Sequence, residues 1–223
     1  MVVREEIIPR KNGGDTTIVI RETHHGPVIS DIHPLLKNEQ KVVSMAWTGN
    51  QITEEVSTLI KIGTVKDWAG FTEVVKQFSV PGQNIIFADT AGNIGWRAAA
   101  LIPIRKDGGS LLPRPGWDPS YDWQGFIPFE EMPFLYNPDK GYIATANNKI
   151  VDDDYPYYIS NQWAEPSRIE RIEEWLNSKE KLTVEDMKIL QNDWLSPFAR
   201  EVVPNIIQWL PQDLNGNERT ALN

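Results

Sequence analysis

The sequence predicts an α+β or layered α/β fold, with strands first and helices in the C-terminal third. Segments rich in β-branched residues, with apolar and polar positions alternating, dominate roughly the first 60 residues. After residue 160, apolar residues instead recur at the spacing of helices. Strands followed by helices are typical of these two fold classes. No repeat or linker interrupts the sequence, so we expect one domain over residues 1–223.

The predicted strands are grouped mainly in hairpins. The turn KNGGD at 11–15 separates EEIIPR from TTIVIR, and together they predict a first hairpin. KVVSMAWTG at 41–49 predicts a further strand, and residues 84–105 predict a hairpin around the turn formers DTAGN. YIATA at 142–146 has strand character and leads into Asn147. We therefore expect the sheet to hold the Asn147 amide in a direction suited to precise hydrogen bonding.

Helices are predicted on both sides of a long aromatic loop. A helix over about residues 65–78, capped by Thr64, would bury its apolar stripe in the core. Residues 111–138 carry too many prolines for a long helix, so we interpret them as an ordered loop with two short strands. Three helices are predicted in the C-terminal third, and they begin at Ser167, at the capping box 183–186 and at Pro197, the last kinked or broken at Pro204.

The composition excludes several classes of function. The 223 residues carry a formal net charge of -9 without any cluster of Lys and Arg, so we expect no nucleic-acid partner. Cysteine is absent, which removes disulfides, thiolate nucleophiles and cysteine zinc sites. No apolar run approaches the ~18 residues of a membrane span, so no membrane partner is expected. The N-terminus lacks a signal-peptide core, which leaves the localisation open between an internal protein and one without its natural start.

Two groups of side chains raise the question of a metal site. His24 and His25 are adjacent, and adjacent residues on a strand point to opposite faces, so we interpret them as structural. Asp152, Asp153 and Asp154 offer oxygen ligands of the kind that calcium prefers. They lack the regular alternation of a calcium loop, however, and we favour a solvated acidic turn.

Arg168 stands at the start of a predicted helix, where the helix macrodipole disfavours a cation. An arginine in this position needs a partner. The simple choice is a surface glutamate, and Glu165 and Glu170 are both close in sequence. The other choice is a carboxylate or the amide of Asn147 at a functional site. The sequence leaves this choice open.

Six phrases resemble the penicillin acylase family, which includes penicillin amidases, cephalosporin-type acylases and acyl-homoserine lactone acylases. Each phrase is short, but the six follow one another in the family's order and cover roughly residues 4–210. The resemblance implies an N-terminal nucleophile hydrolase with an αββα sandwich, of which this chain would form part. The phrases are RETHHGPVIS, NIIFADTAGNIGW, PGWDPSYDWQGFIPFEEMP, NPDKGYIATANN, DYP and WAEPSRIERI.

The resemblance implies hydrolysis of the linear amide bond of an N-acyl substrate, such as a penicillin-like compound or an acyl-homoserine lactone. A precursor cleaves itself and exposes a serine as the first residue of the β-chain. The serine hydroxyl attacks the amide carbonyl, and its own α-amino group serves as base. A backbone N–H and an asparagine side chain hold the oxyanion. That asparagine matches Asn147, and the arginine that orients the site matches Arg168, five residues after Trp163.

The resemblance also implies an incomplete domain, because position 1 is Met and the family's nucleophile would lie upstream of REEIIPRKNG. We expect residues 1–223 to be an internal β-subunit fragment that is inactive alone. Its partners would be the rest of the β-chain and the α-chain, and the fragment alone would self-associate. The alternative is a non-catalytic binding or scaffold module that kept the fold.

The resemblance bears on cofactors and localisation as well. Family members often bind one calcium ion, partly through an aspartate just past a Tyr-Pro pair, but this chain has DYPYYISNQW there. We therefore expect no required cofactor, and Asp152, Asp153 and Asp154 remain the candidate ligands of a structural calcium ion. Family members are often exported to the periplasm or secreted.

Overall fold

The structure is a computed structural model that describes residues 1–36, 41–106, 109, 111–210 and 216. The chain divides into two compact units. The first consists of Met1–Tyr136 with Asp153–Ser160, and the second of Asn137–Asp152 with Asn161–Asn223. Within the described residues, strands lie in the first unit and the last three helices in the second, so the α+β class is confirmed. A single incomplete domain stays a prediction.

The first sheet is an antiparallel arrangement of β1 (Val2–Ile8), β2 (Thr16–Thr23) and β3 (Gly26–Pro27). The first two strands pair from Val2 opposite Glu22 to Ile8 opposite Thr16. The hairpin predicted around KNGGD is therefore confirmed.

The strand predicted over residues 41–49 is wrong. This segment makes one isolated bridge, Val28 opposite Ser44, before a 3₁₀ turn over Thr48–Asn50. The amides of Ile29 and Ser30 both donate to the carbonyl of Val43, at 2.9 and 3.3 Å. Two donors converging on one acceptor interrupt the regular ladder, so the pairing does not extend into a strand.

The second sheet consists of β4 (Gln83–Ala88), β5 (Ile94–Ala99) and β6 (Phe134–Tyr136), all antiparallel. The hairpin around DTAGN is confirmed, and the Asp89 carboxylate closes its turn by accepting from the amides of Ala91 and Asn93, each at 2.9 Å. The described part of the aromatic loop contributes one strand, β6, instead of the two expected. Elsewhere in the loop, backbone hydrogen bonds form 3₁₀ turns over Pro119–Tyr121 and Phe129–Glu131. Phe126 also forms an isolated bridge with Pro103.

The helix predicted over about residues 65–78 is present as α2 (Trp68–Val75), and a further short helix, α1 (Glu55–Ile62), precedes it. The cap of α2 is Asp67 and not Thr64, because the Asp67 carboxylate accepts from the amide of Gly70 at 2.8 Å. The predicted apolar stripe does lie in the core, which is a cluster of Phe71, Val75, Phe78, Phe87 and Ala99.

The second unit contains α3 (Ser167–Leu176), α4 (Val184–Gln191) and α5 (Pro197–Gln208). The start of α3 and the capping box before α4 are confirmed, and Thr183 and Asp186 form that box reciprocally. Pro204 lies inside α5, so the helix is not broken there. None of the described helices is long and apolar enough to cross a membrane.

Candidate active site

Asn147 has a left-handed backbone conformation, with φ of 60°. Few residues other than glycine adopt this conformation, and asparagine is among those that tolerate it. Residues 142–146 before it are not a strand, so the expectation that a sheet holds the Asn147 amide is wrong. The segment before α3 holds Asn147 instead, because the Ala164 amide donates to the Asn147 carbonyl at 2.8 Å.

The guanidinium of Arg168 orients the amide of Asn147. Its Nη2 donates to the Ala146 carbonyl at 2.5 Å and to Asn147 Oδ1 at 2.9 Å. Because arginine offers only donors, the oxygen of the amide must face Arg168, and the NH2 group points away. Within the described part of the chain, that NH2 group has no protein acceptor. The arrangement therefore leaves one oriented donor available to an external acceptor.

The neighbouring asparagine is engaged differently. Asn148 Oδ1 accepts from the Ala146 amide at 3.0 Å, and its Nδ2 donates to the Lys149 carbonyl at 2.9 Å. Both ends of the Asn148 side chain thus hold the local turn. Of two adjacent and chemically identical side chains, Asn147 is the one that presents a donor.

The glutamates near Arg168 do not pair with it among the described residues. Glu165 instead accepts from the amide of Ser167 at 3.0 Å and from the Ser167 hydroxyl. A carboxylate at this position satisfies a free amide at the start of α3 and interacts favourably with the helix dipole. Of the two partners that the sequence allowed for Arg168, the geometry shows the amide of Asn147. The capping role of Glu165 was not predicted, although a Glu two residues before a helix start is a signal for it.

Further contacts hold the segment before Asn147 against α3. Lys140 Nζ lies 2.9 Å from Glu173 Oε1, and Asn177 Nδ2 donates to the Tyr142 hydroxyl at 3.1 Å. These bonds place a loop beside a regular helix, so the helix positions an otherwise irregular segment. Asn147 and Arg168 are themselves both exposed.

The second unit also has a cavity of about 630 Å³, lined by residues that include Arg171, Asp193 and Trp194. Neither Asn147 nor Arg168 lines it. The cavity therefore gives no support to the assignment of these two residues. That assignment rests on their hydrogen-bond geometry and on the resemblance of the surrounding sequence.

The three candidate calcium ligands, Asp152, Asp153 and Asp154, are all exposed. None of them belongs to a group of three converging acidic or histidine donors in the part of the chain that the structure describes. Calcium binding by these residues stays a prediction.

His24 and His25 lie in the turn between β2 and β3 and not on a strand. Contrary to the prediction, their side chains therefore do not point to opposite faces of a strand. Their ring centroids are 3.8 Å apart, and both rings lie beside the carboxylate of Asp122. The Gly26-Pro27 pair that follows them is a turn signal that could have placed the two histidines in a turn, but not beside Asp122.

Comparison with known proteins bears on the family and the fold. Penicillin acylase 2 proenzyme from Pseudomonas sp. (strain SE83) is 32% identical over 196 residues, which cover 88% of this chain and 25% of that protein. Acyl-homoserine lactone acylase QuiP from Pseudomonas syringae pv. tomato is 40% identical over 119 residues, which cover 53% of this chain and 14% of that protein. The chain thus spans a quarter or less of the length of either relative.

A solved structure has the same fold. The thermostable penicillin G acylase from Alcaligenes faecalis superposes with a TM-score of 0.75 at 24% identity, over 100% of this chain and 40% of that one. This likeness confirms the expected N-terminal nucleophile hydrolase fold. The sequence profile of the family described as Penicillin amidase matches residues 1–223, the whole chain. Profile, relatives and fold agree, and the chain therefore belongs to the penicillin amidase family.

Proposed function

We propose that this chain is a segment of the β-subunit of an amidohydrolase that cleaves the linear amide bond of N-acyl substrates. The relatives are named as penicillin acylases and acyl-homoserine lactone acylases, which supports an acyl group joined to an amine as the substrate. The observation that carries the proposal is the Asn147 amide, whose oxygen is held by Arg168 at 2.9 Å while its NH2 group has no acceptor within the described residues.

The geometry suits stabilisation of an oxyanion. When a nucleophile attacks an amide carbonyl, negative charge develops on the carbonyl oxygen, and a preorganised donor lowers the barrier. The Arg168 guanidinium draws electron density toward Asn147 Oδ1, which makes the NH2 group of the same amide a stronger donor. Arg168 thereby acts as a positioning residue, and Asn147 is the residue that contacts the reacting atoms.

The nucleophile in this proposal is the N-terminal serine that the family resemblance implies, with its α-amino group as base. The chain matches only 25% of the length of its Pseudomonas sp. relative, and we place the serine in another segment of the β-chain. We propose that the rest of the β-chain and the α-chain complete the site, and that the 223 residues alone do not hydrolyse amides.

The test is substitution of Asn147 in the full-length protein. Because φ of Asn147 is 60°, alanine would add backbone strain, and glycine and aspartate are the cleaner replacements. Asn147→Gly removes the donor and keeps the conformation, whereas Asn147→Asp keeps the shape and replaces NH2 by an acceptor. We expect each variant to lower kcat by about 10²–10³-fold with little change in KM.

The matched control is Asn148→Ala, which removes two local hydrogen bonds and should lower stability by about 1 kcal/mol per bond while kcat stays near that of the unsubstituted protein. Processing of each variant is followed by the size of its subunits. A correctly processed Asn147→Asp protein with full kcat would overturn the role of Asn147. If the full-length protein lacks a nucleophilic residue at its processed N-terminus and shows no turnover, the chain is instead part of a non-catalytic module.

A further inference from the structure

The first unit brings together three side chains that can bind metal. His24 and His25 come from the turn between β2 and β3, and Asp122 follows the 3₁₀ turn over Pro119–Tyr121. The Nε2 atoms of the two histidines lie 3.7 and 3.6 Å from Asp122 Oδ1. The three ligand atoms all lie within 4.8 Å of one another.

The carboxylate oxygen at the centre of this group lacks a hydrogen bond. Asp122 Oδ1 is buried from solvent and has no hydrogen-bond partner among the described residues. A buried carboxylate oxygen without a partner is unfavourable, because it has lost its hydration without replacement. The histidine nitrogens beside it, at 3.6 and 3.7 Å, are beyond the usual 2.7–3.2 Å range for N–H···O hydrogen bonds.

These separations fit ligands that share one metal ion. Zinc binds histidine nitrogen and carboxylate oxygen at about 2.0–2.2 Å, which puts two ligands of a tetrahedral site roughly 3.4 Å apart. The observed 3.6 and 3.7 Å differ from this value by a few tenths of an ångström. A metal ion between the three atoms would also give the negatively charged Asp122 Oδ1 the positive partner that it lacks among the described residues. We propose that His24, His25 and Asp122 bind a divalent first-row transition metal ion, with Zn²⁺ as the best geometric match.

A hydrogen bond competes with this site. His25 Nε2 lies 3.1 Å from the carbonyl of Gly116, so in the absence of metal a proton on Nε2 would be donated to that carbonyl. Metal binding removes this proton and frees the carbonyl, because a ligating nitrogen must be unprotonated. Water or the Gly116 carbonyl then fills the fourth position.

The surroundings allow an ion to enter. Both histidines line an open cleft of about 1020 Å³ within the first unit, and the side chain of His24 is 66% exposed. The ion would join the β2–β3 turn to a loop whose residue Gly116 is 91 residues from His25 in sequence. A link across so long a stretch of chain stabilises the folded unit, since the site does not exist in the unfolded chain.

The test is titration of the 223-residue chain with Zn²⁺ in buffer without chelators, followed by calorimetry. We expect saturation at one ion per chain. His24→Gln and Asp122→Asn should weaken binding by at least about 10-fold, the loss that even outer-shell substitutions produce. His33→Gln is the matched control, because His33 is also exposed but lies outside the group, and its binding should equal that of the unsubstituted chain.

Imidazole ¹⁵N NMR of the unsubstituted chain identifies the ligands even if a substituted chain fails to fold. Zn²⁺ should shift the Nε2 signals of His24 and His25 and leave those of His33 unchanged. Absence of saturable binding would overturn the proposal. Binding of equal strength in His24→Gln, or Nε2 signals that do not respond to saturating Zn²⁺, would overturn it as well, because the ion would then lie elsewhere.

Discussion

Replacement of Gly95 by alanine tests the packing of the first unit most directly. Gly95 is buried in β5, and a Cβ atom added to it would lie 2.2 Å from Cζ3 and 2.5 Å from Cε3 of the Trp68 indole. The indole is itself stacked on Tyr136 at 4.9 Å and on Phe71 at 5.4 Å between ring centroids. The ring therefore cannot move away from the new methyl group without disturbing the aromatic core.

Two effects oppose each other in this variant. Alanine is favoured over glycine inside a strand by about 0.5–1 kcal/mol, whereas overpacking a close-packed interior costs about 1–3 kcal/mol. We expect the clash to prevail and Gly95→Ala to lower the free energy of unfolding by about 0.5–2 kcal/mol. The assay is the urea midpoint of the 223-residue chain, followed by far-UV circular dichroism.

The control is Gly14→Ala, because no atom lies within 4 Å of the added Cβ and the glycine does not have positive φ. This variant should be neutral or gain about 0.4–1 kcal/mol from a less flexible unfolded chain. Trp68→Leu gives the matching double-mutant cycle, in which the cost of Gly95→Ala should shrink once the indole is gone. Equal or greater stability of Gly95→Ala in the unsubstituted background would refute this reasoning.

Three further predictions concern acid stability, activity and association. The pKa of Asp186 is lowered to about 2 by hydrogen bonds from Lys179 and Thr183, so its stabilisation is present above the unfolded pKa of about 3.9 and is lost as pH falls through about 2. The urea midpoints of the unsubstituted chain and of Asp186→Asn should accordingly differ at pH 6 and converge toward pH 2. The chain alone should not hydrolyse a chromogenic acyl-amide, and turnover that a serine-acylating reagent abolishes would contradict this. Apolar side chains such as Ile7 and Val19 are exposed on the first sheet, so the chain should self-associate. A monomeric mass measured by light scattering at high protein concentration would disprove this.

Features that depend on a few neighbouring residues could be predicted from the sequence. The turn formers DTAGN and the Thr183–Asp186 capping box act through bonds that span at most four residues, and both are present as expected. The start of α3 at Ser167 was likewise predictable from helical spacing. Local hydrogen bonding and side-chain periodicity depend only on short stretches of sequence, so they can be predicted without knowledge of distant contacts.

The sequence names Asn147 and Arg168 as candidate site residues but does not determine their geometry. The sequence leaves the partner of Arg168 open between a glutamate and the amide of Asn147. The strand expected before Asn147 is absent. The direction of the Asn147 side chain is instead set by its left-handed backbone and by the hydrogen bond from the segment before α3. A guanidinium can reach many acceptors, so only the path of the backbone around it determines which one it binds.

Contacts between distant parts of the chain were decided by tertiary structure alone. His24 and His25 converge on the carboxylate of Asp122, but β2 and the 3₁₀ turn before Asp122 are far apart in sequence, so the sequence does not indicate this contact. The small size of Gly95 is likewise required by an indole from another element. Neither β-branched alternation nor helical spacing encodes which surfaces meet, because steric fit and charge pairing depend on three-dimensional neighbours that sequence order does not specify.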